Sequence, residues 1–565
     1  MLTFRGGVHP YDGKDLTMNC AIQDLDADDI MVFPMVQHLG APANPMVKRG
    51  ERVLVGQIIG EASGFISANV VSSVSGKVKA VEPRVITTGA KVMSVVVEND
   101  REYEAVEGYG QPRDWKKLSN DEIRRIIKDA GIVGMGGAGF PANVKLMPGD
   151  DEAIEYIIIN GAECEPYLTS DYRLMLEEPE RLIGGLEILL HMFPNAKAYI
   201  GIEKNKPQAI ELLEEMTRDN DRIIISPLKT KYPQGGERML IYAITKRKVH
   251  SRKLPKDAGC IVHNVDTCMG IYRAVAESIP SIKRIVTVSG DAVAHPCNFR
   301  VYNGTKAQSI IDAAGGYSKT PFRIIAGGPM MGMAQHSMEI PATKNLSALL
   351  VFTKKLAAHY DETNCIRCGK CVNVCPEFLA PVIMMNDVQT GDFDGFEKHN
   401  GMECIECGSC AYICPARRKL TQNFKLGKLR VGMKRRAEAE KKKKEEAEKK
   451  AAEAAAAEDK QEEATVAASA NAKEKPDKAA VDTKEKAGKA TSVDTEDDSE
   501  KTASVAEQPA DKAKQLDDMP EKTADEESVS AKGAATPESA ASPAPELVAQ
   551  SVKERREAVP EPMQA

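Results

Sequence analysis

A chain of 565 residues is too long for one hydrophobic core and implies about three to five domains. Its formal net charge of -7 argues against nucleic-acid binding through overall charge. No apolar run approaches the roughly 18 residues that span a bilayer, so any membrane attachment is expected through a partner or an amphipathic surface.

The opening stretch, MLTFRGGVHPYDGKDL, is polar and broken by glycine and proline. It lacks the charged, apolar and cleavage regions of a secretory signal. Of the 13 cysteines, those at Cys20, Cys164, Cys260, Cys268 and Cys297 are scattered, and the rest fall in two clustered repeats near the end. That usage points to a reducing compartment, where clustered thiols bind metal rather than pair. Residues 36–100 carry short alternating runs rich in Val, Ile and Gly (ERVLVGQIIG, ISANVVSS, GKVKAVEP, KVMSVVVEND), which predict β-structure. The phrase VKRGERVLVGQIIG…VSSVSGKVKAV resembles the barrel-sandwich hybrid of biotinyl and lipoyl carriers. A carrier presents a methionine-flanked lysine at a hairpin tip. No such motif occurs, so Lys77 reads as an ordinary hairpin residue and 1–110 as a docking module.

From about residue 111 the period changes. Ser119 and Glu122 form a capping box that opens the helix EIRRIIKDA. After a glycine loop, AIEYIIIN, AKAYIGIE and DRIIISPL predict strands, separated by the helices RLIGGLEILLHMF and KPQAIELLEEM. Alternating βα units predict a parallel, Rossmann-like sheet over 111–275. Residues 276–345 (RIVTVSGDAV…FRVYNGTKAQSIIDAAGGYS…RIIAGGPMMG) resemble a β-grasp module of the soluble ligand-binding kind. The cysteine repeats occupy 346–425. Beyond Phe424 there is no Phe, Tyr, Trp, Cys or Ile. The tail, 426–565, therefore buries too little apolar area to offset its ordering entropy. Its first part, rich in Ala, Glu and Lys, suits a solvated helix, and the remainder is expected to be a disordered tether. The fold class is thus multidomain α/β and α+β.

CIRCGKCVNVCP and CIECGSCAYICP each read C-x2-C-x2-C-x3-C-P. Three cysteines at this spacing wrap one loop around a cubane, and the fourth, before proline, ligates the other cluster. One 4Fe-4S cluster is therefore assigned to Cys365, Cys368, Cys371 and Cys414, and the other to Cys404, Cys407, Cys410 and Cys375. Gly369 and Gly408 suit a close approach of backbone to sulfide. Zinc takes separated C-x2-C pairs and leaves the third cysteine and the repeat unexplained. With no open iron position in view, the clusters imply electron transfer.

Gly134-Met-Gly136-Gly137-Ala-Gly139 contains G-x-G-x-x-G, but the preceding element is a helix, so the dinucleotide fingerprint fails on context. No Lys-Ser/Thr follows, so it is not a P-loop either. A run of amides near a phosphate, with Lys145 behind it, and a plain turn both remain open. AIEYIIIN ends in Asn160-Gly-Ala-Glu163-Cys164-Glu165-Pro166. This places an amide and two carboxylates at the carboxyl end of a strand, where α/β sheets bind ligands; a solvated acidic turn is the alternative. Cys164 reads as a small packed residue, and His9, His38 and His295 as packing or surface residues.

GMGGAGFPANVK, NGAECEP and HNVDT (263–267) follow in the order of GRGGAGFP…K, NADEGEP and NNVET. The latter resemble motifs of the NADH-binding flavoprotein subunit of respiratory complex I. Met135, Ala162 and Cys164 stand where that family has arginine, aspartate and glycine, and GGER at 235–238 matches its GEET segment loosely. Over about 1–425 the whole arrangement, including GGVHP and the double repeat, resembles the C-subunit family of the Rnf (Rsx) ion-translocating electron-transport complexes. The resemblance implies that Gly134, Gly136, Gly137, Gly139 and Lys145 contact flavin or dinucleotide phosphate. It places Asn160, Glu163 and Glu165 at the flavin and the NADH ribose, and Asn264 at the FMN phosphate.

The implied function is electron passage between NADH, FMN and two 4Fe-4S clusters, within a complex coupling NADH/ferredoxin exchange to Na+ or H+ movement. The implied partners are the complex's membrane flavoprotein and ferredoxin-like subunits. The implied location is peripheral, on the cytoplasmic side of the bacterial inner membrane. A non-catalytic adaptor, relaying electrons through its clusters without its own flavin, is the alternative.

Overall fold

Strand Tyr156–Gly161 is buried along most of its length, and a strand buried on both faces needs helices above and below it. In the computed structural model, which describes residues 2–471 except 252, 358 and 359, that strand lies inside a four-stranded parallel sheet. The order is Ile223–Leu228, Lys197–Glu203, Tyr156–Gly161, Cys260–Asn264. Helices Pro179–Met192 and Val265–Val275 cover it through Leu182, Leu186, Leu189, Val265 and Met269. Gly185 makes their close crossing possible, because a Cβ there would stand 2.4 Å from the carbonyl oxygen of Cys268. The capping box at Ser119 is formed, with both reciprocal hydrogen bonds present at the start of helix Asn120–Asp129.

Cys260–Asn264, only five residues long, is the strand that periodicity missed. Its register brings Asn264 level with Asn160, so two of the expected site residues share the carboxyl edge of the sheet.

The barrel-sandwich module is built from two antiparallel sheets. One orders Ile30–Pro34, Lys91–Asn99, Gly76–Val85 and Arg52–Val53; the other orders Asn44–Pro45, Ile58–Glu61 and Val70–Val71. Met31, Phe33, Val53, Ile59, Val78, Val95 and Val97 fill the space between. Lys77 lies in the β-hairpin of Gly76–Val85 and Lys91–Asn99, opposite Glu98 and at the end away from the turn.

A six-stranded mixed sheet orders Ile22–Asp24, Cys297–Tyr302, Lys283–Ser289, Ala348–Phe352, Arg323–Ala326 and Met333–Gln335. Two of its strands lie outside the expected 276–345 span. Ala348–Phe352 is fully buried and sits between Lys283–Ser289 and Arg323–Ala326, while Ile22–Asp24 joins one edge. Both pairings are long-range and leave no local trace. Lys344 ties the modules together. Its buried ammonium donates to the carbonyls of Asn69 (2.6 Å) and Gly131 (2.7 Å), and burial lowers its pKa to about 7.

Helix Leu420–Asn471 passes the expected boundary at 425. Leu420, Phe424 and Val431 anchor it against Phe396, and its later residues are the expected Lys/Glu/Ala stretch. The expected disorder of 472–565 lies outside the described residues. Among the described residues no helix is long and apolar enough to cross a membrane.

Candidate functional site

The glycine loop is closed at its neck by a bridge between Val133 and Pro141 and by the Gly134 N–H donating to the Phe140 carbonyl at 2.8 Å. As expected, it follows a helix rather than a strand. Gly136 packs on Asn264, where a Cβ would stand 3.0 Å from Nδ2; Gly137 faces open space. Lys145 closes the short helix Ala142–Lys145 and donates to Glu237 Oε1 (2.8 Å) and the Val262 carbonyl (2.9 Å).

At the sheet edge, Asn160 Nδ2 donates to the Gly235 carbonyl at 2.8 Å. Glu163 sits at a φ of 45°, a left-handed conformation unusual for a carboxylate residue. Its Oε1 accepts the Asp171 N–H at 2.7 Å, while its buried Oε2 has no hydrogen-bond partner. Glu165 accepts from the Met330 N–H (3.1 Å) and the Tyr232 hydroxyl (3.3 Å). Burial pushes its pKa up to about 7 against both of those bonds. Asn264 caps helix Val265–Val275 through Oδ1 and donates through Nδ2 to Asp171 at 2.6 Å.

Asp171 is a site residue that the sequence reading missed. Burial first, and then Glu163, raise its pKa to about 7 although Arg284 opposes them. Its Oδ1 is buried without a partner. Only its place a few residues past the acidic turn hinted at it. Beneath the turn, Lys206 donates to the Ala162 carbonyl at 2.7 Å. Lys14 donates to the carbonyls of Glu165 (3.1 Å) and Leu168 (2.5 Å) and lies 3.8 Å from Glu163 Oε2. Burial pushes the Cys164 thiol well up, so it stays protonated; its Sγ accepts the Gly235 N–H at 3.2 Å. It is a packing residue here.

Gly134, Gly136, Gly137, Gly139, Lys145, Asn160, Glu163, Glu165 and Asn264 all line one cavity of about 630 Å³. Asp171 and Arg284 complete its inner wall, and Gly235, Gly236 and Arg238 line it as well. That volume suits a cofactor-sized ligand. Two buried carboxylate oxygens without a hydrogen bond, Glu163 Oε2 and Asp171 Oδ1, and an open glycine surface fit a flavin, which offers both hydrogen-bond donors and a flat ring.

The eight repeat cysteines gather in two places. Cys365, Cys368, Cys371 and Cys414 line one cavity; Cys375, Cys404, Cys407 and Cys410 line another. Each set takes three residues from one repeat and the last from the other, the crossing expected from the spacing. The repeats also match in backbone. Arg367 and Glu406 have φ of 55° and 57°, and their N–H groups each lie 3.4 Å from the sulfur two residues earlier. Gly369 and Gly408, at 72° and 79°, cap the short helices that follow. Among the described residues no three His, Cys, Asp or Glu side chains converge closely enough to hold a single metal ion. A cubane takes one thiolate on each of four irons, and each cavity offers four cysteines, so the donor sets fit clusters. Cys404 and Cys407 also line the 630 Å³ cavity, so the second-repeat set abuts the flavin-sized space. Cys365 and Cys368 are exposed.

Four family profiles match in chain order. They are an RnfC barrel sandwich hybrid domain at 2–102, a Nuo51 FMN-binding domain at 127–273, an SLBB domain at 285–334 and a 4Fe-4S dicluster domain at 357–415. The C-subunit of the proton-translocating ferredoxin:NAD(+) oxidoreductase complex of Clostridium ljungdahlii is 44% identical over 382 residues, covering 68% of this chain and 83% of that protein. The C-subunit of the Na(+)-translocating ferredoxin:NAD(+) oxidoreductase complex of Acetobacterium woodii is 43% identical over 437 residues, with coverages of 77% and 98%. The C-subunit of the ion-translocating oxidoreductase complex of Rhodobacter capsulatus is 40% identical over 432 residues, with coverages of 75% and 82%. A solved NAD+-reducing [NiFe]-hydrogenase aligns with a TM-score of 0.39 and 20% identity over 50% of this chain and 55% of that one, too loosely to bear on the fold.

Proposed function

The chain belongs to the C-subunit family of the ion-translocating ferredoxin:NAD(+) oxidoreductase complexes, and on that premise we propose how its residues serve that activity. It is the peripheral electron-transfer subunit of a membrane-bound complex, and it carries FMN and two 4Fe-4S clusters. The observation that carries this reading is the single cavity lined both by the glycine loop and acidic turn and by Cys404 and Cys407.

FMN, when bound, supplies the change between two-electron hydride chemistry and the one-electron steps of the clusters. The backbone of Gly134–Gly139 would line the flavin site, with open space over Gly137. Lys145 and Asn264 would attract and orient its phosphate, and Asn160, Glu163 and Glu165 would orient the ring and the ribose of NADH. Asp171 holds a proton at the cavity wall, its pKa standing near 7 through burial. Cys375, Cys404, Cys407 and Cys410 hold the cluster beside the flavin, and Cys365, Cys368, Cys371 and Cys414 hold the outer one. The protein works on the cytoplasmic face of the inner membrane against the other subunits, which carry the ion path.

Anaerobic purification of the full chain, with flavin and iron analysis and EPR during NADH titration, tests this. About eight irons and one FMN per chain, with clusters reduced by NADH, are expected. Stoichiometric zinc overturns the cluster assignment. Clusters without flavin overturn the flavin site and leave a relay.

A further inference from the structure

The GGVHP segment lies outside the strands of every sheet, yet it runs between the Tyr232 loop of the cavity wall and the loop carrying Cys375. Leu2 bridges Leu228, and the Lys229 N–H donates to the Leu2 carbonyl at 3.0 Å. Lys231 Nζ donates to the carbonyls of Phe4 (2.8 Å) and Gly6 (2.7 Å). Val8 and Tyr232 exchange backbone hydrogen bonds at 2.8 and 2.9 Å, and the Gly7 N–H donates to the Val374 carbonyl at 2.8 Å. Further on, Asp12 accepts the Tyr167 N–H at 2.6 Å, and Lys14 enters beneath the acidic turn. Fewer than twenty residues thus grip the acidic turn, the Tyr232 loop of the cavity wall and the loop carrying Cys375.

Between those last two loops there is room for backbone only. Gly6 and Gly7 have φ of 86° and 81°. A Cβ at Gly6 would stand 3.0 Å from the Cys375 carbonyl oxygen, and one at Gly7 would stand 2.5 Å from that of Tyr232. Any side chain there drives one loop away from the other. Val8 continues the seam, packing with Tyr232, Cys164 and Cys407 in one apolar cluster.

We propose that residues 2–17 form a positioning strap, with Gly6 and Gly7 setting how closely the second-repeat cluster approaches the flavin and Lys14 anchoring the far end. None of residues 2–17 lines the flavin-sized cavity or either cysteine pocket. The strap acts on the relative placement of two sites built by different modules, and electron transfer between them weakens exponentially as their separation grows. The proposal rests on the flavin and cluster reading above and deepens it.

The test mixes the anaerobic, cofactor-loaded full chain rapidly with NADH and follows flavin bleaching and cluster bleaching as separate phases. Flavin and iron contents are assayed alongside. Gly7→Ala is compared with Gly50→Ala, another left-handed glycine (φ 95°) with nothing within 4 Å of its Cβ position. Gly7→Ala is expected to keep its flavin, iron and flavin phase while its cluster phase slows severalfold; Gly50→Ala should change neither phase. An unchanged cluster phase in Gly7→Ala overturns the strap. Parallel slowing of both phases at full cofactor content also overturns it, since that marks a scaffold role alone. If Gly7→Ala fails to load, Val8→Ala decides, because it trims only the packing against Tyr232 and Cys407. A slower cluster phase at full cofactor content then supports the strap, and an unchanged one overturns it. Wild-type protein that binds no flavin overturns the functional reading and the strap together.

Discussion

Glycine at position 137 matters for what it leaves empty. A Cβ there meets nothing within 4 Å, although the residue lines the cavity. Gly137→Val should therefore leave folding stability within about 0.5 kcal/mol of wild type. The same change should weaken FMN binding to the deflavo chain at least about tenfold, or some 1.4 kcal/mol. Thermal unfolding and flavin-fluorescence titration read the two effects separately. Asp171 makes the opposite case, a polar group that folding strains. Its pKa of about 7 stands above the ordinary 3.8 because of burial and Glu163, so the folded chain holds a proton that the unfolded chain releases between those values. The stability this lends is present below the lower value and lost as pH rises through 7. Asp171→Asn removes the penalty and should gain about 1–3 kcal/mol relative to wild type on going from about pH 5 to about pH 8. Denaturant unfolding at both pH values checks the sign. Glu163 and Glu165 were legible from their place at a strand end. Asp171 and Lys14 were not, because nothing local distinguishes a serine-flanked aspartate or a lone lysine whose partner lies some 150 residues away.

At the scale of elements, the site depends on register. Asn160 and Asn264 come from different strands and become neighbours because Cys260–Asn264 pairs in parallel with Tyr156–Gly161. Helix Glu237–Thr245 makes the corresponding link to the cysteine region. Its Arg238 donates to Glu377 (3.2 Å) and Glu403 (3.0 Å). Burial raises the Glu377 pKa, and Arg238 counteracts it. Arg238→Ala removes the cation that Glu377 and Glu403 share. It should cost about 1–3 kcal/mol, visible as a lower unfolding temperature that salt partly restores as the repulsion is screened. The capping box and the three longer parallel strands follow from local pattern alone. Ala348–Phe352 does not: a run such as ALLVF states that it is buried, not which sheet buries it.

Across the whole molecule, the crossed cysteine sets make the two repeats one folding unit. Cys407→Ala should abolish the cluster beside the cavity and loosen the other, since Cys414 of the same repeat serves the outer set. Cys414→Ala should instead remove the outer cluster while the inner one stays reducible by NADH. Iron content and EPR spin counts distinguish the two. The kinds of module, their order and the cluster chemistry were legible in the sequence by itself, and the spacing of the repeats predicted the crossed cysteine sets that line two cavities. Those rest on spacing, periodicity and motif, which are local in the chain. Only the tertiary structure decided that the inner cysteine set shares a wall with the flavin-sized cavity, that Asp171 and Lys14 belong to the site, and that GGVHP runs along the seam. Contacts between distant segments arise from the packing of finished modules, and no local pattern encodes which faces will meet.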